Sequence, residues 1–143
     1  MTQEEKMLLI KDLSARLPYA VMVEHTSGFS GTLHDITVHH TYDDNDNVYD
    51  AICYTDFFGD EDSIYIEYFK PYLFPMSSMT AEQKREYDSI IYHDVELHCE
   101  RYYNVIDVDC YEELHDFYHK NHLDYRGLIP MGLALDATGK NIY

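Results

Sequence analysis

Apolar residues recur along the N-terminal segment at three- and four-residue intervals. Leu9, Ile10, Leu13 and Leu17 form one stripe, which predicts a helix over 3–16. Thr2 followed by Glu5 has the spacing of a capping box at its start, and Pro18 stops it. The period then changes. "YAVMVEH", "GTLHDITVHHTY", "VYDAICYTDFF" and "DSIYIEYF" read as strands, separated by "TSGFSG", "DDNDN" and "GDED". Thr32, His34, Ile36, Val38 and His40 alternate with Leu33, Asp35, Thr37 and His39, and Ile64, Ile66 and Tyr68 share one face. The spacing predicts an antiparallel meander of four or five strands, open or curled into a small barrel. The first helix would cover its free face.

"KPYLFPMSS" carries two prolines and reads as an extended linker that ends the sheet, with Tyr72 and Phe74 packed along it. Thr80 and Gln83 form a second capping box ahead of a helix whose buried stripe is Tyr87, Ile90 and Ile91. Residues 93–108 fit either helix or strand, with helix favoured. A third helix is expected to begin after Asp109 and run to about Asn121, with Leu114, Phe117 and Tyr118 inward. The last apolar stretch, "LDYRGLIPMGLALDATG", is too short, and too often broken by Gly127, Pro130 and Gly132, to cross a membrane. Leu128, Ile129, Leu133 and Leu135 are expected to close the core, with Asp124 and Arg126 paired by charge. The resulting expectation is an α+β protein: an N-terminal helix, a small antiparallel β-sheet or SH3-like barrel, and a helical C-terminal part. Residues 1–76 would form the helix-plus-β module and 77–143 the helical region packed on it, together one compact domain.

Composition narrows the functional classes. A chain of 143 residues with 45% hydrophobic residues is long enough to bury a core without staples. Three cysteines, Cys53, Cys99 and Cys110, lack both an even count and a CxxC spacing, so neither a disulfide framework nor a zinc ribbon is expected. The N-terminus lacks the long apolar run of a secretory signal, and a cytoplasmic setting is expected. The net charge is −17, which disfavours direct contact with nucleic-acid backbones or anionic membranes and favours basic partners. That charge is uneven. From Leu17 to Phe69 there are eleven Asp and Glu and no Lys or Arg. Such crowding costs stability. The simpler account is solubility and protection of sheet edges. The alternative is a face that docks on a basic protein surface, with Asp43, Asp44, Asp46, Asp60, Glu61 and Asp62 as candidate contacts.

The densest chemical constellation is "EELHDFYHKNHLD". On a continuous helix Glu112, His115, His119 and His122 fall on one face, where two histidines and a carboxylate one turn away have the spacing of a metal site. A metal-binding protein or metal-dependent enzyme is therefore the alternative function. The simpler account is a solvated polar face. "HDFYH" has Asp where the zinc-protease helix has its general-base Glu. "DDNDNVYD" lacks the Gly of a calcium loop. No nucleophile elbow, P-loop or dinucleotide fingerprint is present, so no catalytic residue and no cofactor are assigned.

"KPYLFPMSSMT" and "HLDYRGLIPMGLALDAT" together resemble a family of small acidic proteins from gut anaerobic bacteria, their prophages and mobile elements. The resemblance covers both ends of the chain and is weakest over 88–111. It implies a bacterial or phage cytoplasmic setting and transfers no activity, cofactor or site residue.

Overall fold

The computed structural model describes residues 1–43, 46–56, 64–98 and 108–143. Side chains are described for all of these except 40–43, 46–49, 64, 92–98 and 108–110. Helix α1 spans Gln3–Arg16. The Thr2 hydroxyl accepts from the Glu5 N–H at 3.1 Å, and the Glu5 carboxylate accepts from the Thr2 N–H at 2.7 Å, so the capping box closes in both directions. Leu9, Ile10 and Leu13 are buried as their spacing predicts. Pro18 sits in a 3-10 turn, Leu17–Tyr19, that ends the helix.

The strands are β1 (Met22–His25), β2 (Ser30–Asp43), β3 (Asp46–Thr55), β4 (Ile64–Tyr65), β5 (Phe69–Leu73) and β6 (Leu135–Asp136). Their order is β4-β3-β2-β1-β5-β6. The first four make the expected antiparallel meander, and β5 then pairs with the far side of β1. Four inter-strand steps separate β4 from β5, about 19 Å in a flat sheet. A single 3-10 turn, Ile66–Tyr68, joins them directly. Three residues of 3-10 helix advance only about 6 Å, so the sheet must curl until its ends approach. This is the strand order of an SH3-like barrel, with α1 packed against β2 and β3.

Two expectations fail here. The segment read as a linker holds β5: Pro71 lies opposite Val23 of β1, and Tyr72 and Leu73 are buried. Proline cannot donate to a ladder, which is why the sequence argues against a strand there. The sheet also gains a sixth strand from the C-terminal stretch, because Tyr72 and Leu73 pair in parallel with Leu135 and Asp136. The sheet is therefore mixed.

Helices α2 (Ala81–His98) and α3 (Val108–Lys120) pack on each other. The Thr80–Gln83 box forms as predicted, with bonds of 2.8 and 3.1 Å. Residues 93–98 are helical, and 99–107 lie outside the described residues. Helix α3 already includes Val108, so Asp109 lies inside it rather than capping it. Phe117 and Tyr118 are buried with Leu123 in a second apolar cluster beside Phe74, Tyr87 and Ile90. The C-terminal stretch does close the main core. Leu128, Leu133 and Ala134 pack with Leu9, Val23 and Phe69.

Candidate functional site

Among the described residues, the acidic span makes up strands β1 to β4 and the 3-10 turn after them. Asp35, Asp56 and Glu67 are exposed, and Asp50 is half-buried. Two of these carboxylates are answered from α1. Lys6 Nζ lies 3.4 Å from Asp50 and 3.1 Å from Glu67. Burial alone would lower the Lys6 pKa. The hydrogen bonds and attraction from Glu67 and Asp50 outweigh it, and the net shift is upward. Asp56 accepts from the Thr32 N–H at 2.7 Å and Asp35 from the Ile36 N–H at 2.8 Å. Of the six acids singled out in the sequence, Asp44, Asp60, Glu61 and Asp62 lie outside the described residues, as do the side chains of Asp43 and Asp46. The backbone register sets Asp43 directly opposite Asp46.

The histidine stripe divides. Its spacing assumes that the helix continues through 122, but α3 ends at Lys120. His122 takes a left-handed backbone conformation, φ 51°, and Leu123 then donates its N–H to the Tyr118 carbonyl at 2.9 Å. Histidine adopts this conformation more readily than most residues. The turn carries the His122 ring away from the α3 face and stacks it on Tyr143, with centroids 3.6 Å apart. Glu112 and His115 remain exposed on the helix. His119 is buried, contrary to a solvated face, and so is His122. Among the described residues no group of three or more His, Cys, Asp or Glu is arranged to hold a metal ion.

His119 instead belongs to an aromatic and cationic cluster that sequence reasoning missed. Its Nε2 lies 3.0 Å from the Tyr125 hydroxyl. Tyr125 stacks on Tyr118 at 4.6 Å and carries the Arg126 guanidinium over its ring at 4.7 Å. Beneath it, Asp12 and Arg16 of α1 are fully buried. Arg16 Nε and Nη2 bond the two Asp12 oxygens at 2.7 and 3.2 Å, and Nη2 also reaches the Leu123 carbonyl at 2.8 Å. Arg126 pairs with Asp12 at 3.1 Å, not with Asp124. Asp124 is buried and accepts from the Leu128 and Ile129 N–H groups. Its carboxylate holds the turn that brings Leu128 into the core.

Burial, and then the nearby Arg16 charge, lower the His119 and His122 pKa values to about 4. Burial raises that of Tyr125. At neutral pH the imidazole is therefore neutral and the phenol protonated, each engaged with the other. The cleft of about 250 Å³ between α2 and α3 is lined by Glu86, Ile90, Glu113, Asp116, Phe117 and Lys120, and none of the stripe's histidines opens into it. The cluster joins α1, α3 and the C-terminal stretch as a packed polar core. Burial also raises the Cys53 thiol to about 12, which keeps it protonated and inert.

Among the described residues no helix is long and apolar enough to cross a membrane. Comparison with protein-family models, with curated proteins and with solved structures finds no match for this chain.

Proposed function

We propose that the protein is a non-enzymatic interaction module whose acidic β1-to-β4 region binds a basic protein surface. One observation carries the reading. The run without Lys or Arg, Leu17 to Phe69, coincides with strands β1 to β4 among the described residues, and α1 Lys6 answers Asp50 and Glu67 within it. Solubility would be served as well by charge spread over the whole surface. Concentrating it costs stability that a basic partner would restore. Of the histidine stripe, the two buried members are engaged by Tyr125 and Tyr143.

The test is titration calorimetry of a partner recovered by affinity capture, at 50 and 500 mM salt. Screening should weaken binding at least tenfold. Replacing Asp35, Asp43 and Asp46 together with Asn should do the same at low salt. Affinity unchanged by both salt and substitution overturns the reading.

A further inference from the structure

Strand β2 is much longer than the strand beside it. Of its fourteen residues, only Ser30, Gly31 and Thr32 pair with β1. On its other side it pairs with β3 as far as Asp43. A register shift between Leu33 and Asp35 marks the point where β2 leaves the barrel wall. Beyond it, among the described residues, no strand lies against the outer edge of β2. Thr37, Val38 and His39 are all exposed on β2. The β3 side is different: Ala51 is fully buried and Asp50 is tied to Lys6 of α1.

An open strand edge is a template for a further strand. Charge decides which strand fits. The ribbon carries Asp35, Asp43, Asp46 and Asp50 and no Lys or Arg. Those carboxylates oppose pairing with a second copy of this chain, whose net charge is also −17. They favour an extended segment with Lys or Arg at alternate positions.

We propose that the outer edge of β2, from Asp35 to Asp43, takes up a basic extended segment of another protein as an added antiparallel or parallel strand. Main-chain hydrogen bonds supply affinity, and alternating cationic side chains supply selectivity. The inference rests on the interaction reading above and specifies how contact is made.

The experiment uses the full chain and three ten-residue probes. One alternates Lys and Val. The second has the same sequence with its six central amides N-methylated. The third alternates Glu and Val. Binding is read by fluorescence anisotropy, and strand formation by protection of the amides of residues 35–43 from hydrogen exchange. The Lys–Val peptide should bind and protect those amides. N-methylation should weaken it at least tenfold, and the Glu–Val peptide should not bind. Equal, salt-sensitive binding of the methylated and unmethylated peptides would overturn strand addition while leaving the charge-based reading in place. Absence of binding by either basic peptide would overturn both. Dimerisation of the protein alone, with the same amides protected, would assign the edge to a second copy and overturn the proposal.

Discussion

Replacing Asp12 with alanine should be among the most damaging single changes in the molecule. Asp12 and Arg16 are both fully buried, and the carboxylate receives three guanidinium hydrogen bonds, two from Arg16 and one from Arg126. Alanine leaves the Arg16 cation in the interior with the Leu123 carbonyl as its remaining acceptor. Removing one partner of a buried pair costs about 3–5 kcal/mol. That is a large share of the roughly 5–15 kcal/mol that holds a domain folded. With a urea dependence of about 2 kcal/mol per molar, the unfolding midpoint should fall by about 1.5–2.5 M. Far-UV circular dichroism in a urea titration measures it. The double change Asp12→Leu with Arg16→Met removes both charges and should cost well under the sum of the two single changes. A midpoint shift below about 0.3 M for Asp12→Ala, or an additive double change, would refute the assignment of this pair as a coupled buried unit.

Leu128 is fully buried at the junction of α1, the barrel and the C-terminal stretch, so Leu128→Ala should lose about 2–5 kcal/mol by the same assay. Deleting 123–143 also removes Leu123 and Leu133; three buried leucines at about 1.5–3 kcal/mol each should leave a molten or insoluble chain, and an unchanged melting temperature would contradict core closure. The buried histidines give a pH dependence of definite sign. Their folded values of about 4 lie below the unfolded value of about 6.5, so acid favours the unfolded chain. The stability they contribute is complete above pH 6.5 and is lost as pH falls from there through 4. Each should account for about 1–2 kcal/mol of loss between pH 6.5 and 5. His122→Phe, which keeps a ring against Tyr143, should flatten that slope in urea titrations at several pH values.

The parts of the fold written in short-range pattern were legible. Thr2, Glu5 and Pro18 set the limits of α1, Thr80 and Gln83 set the start of α2, and alternation placed β1 to β3. These depend on residues a few positions apart, and so did the reading of Leu128, Ile129 and Leu133 as core, while Leu135 lies half-buried on β6 outside it. What depended on distant partners was not legible. An Asp and an Arg four residues apart on a helix read the same on a wet surface as in a core. Only the arrival of Leu123 and Arg126, more than a hundred residues later, buries Asp12 and Arg16 and diverts Arg126 from Asp124. Pro71 argued against a strand until long-range pairing set β5 between β1 and β6. The histidine stripe was a real periodicity cut short by the left-handed turn at His122, which the packing of Leu123 against Phe74 and Tyr118 enforces. The sequence by itself determined where charge is concentrated and which segments alternate. Tertiary structure decided which charges are buried and which ring faces which, because each of these is a property of two segments brought together and not of either alone.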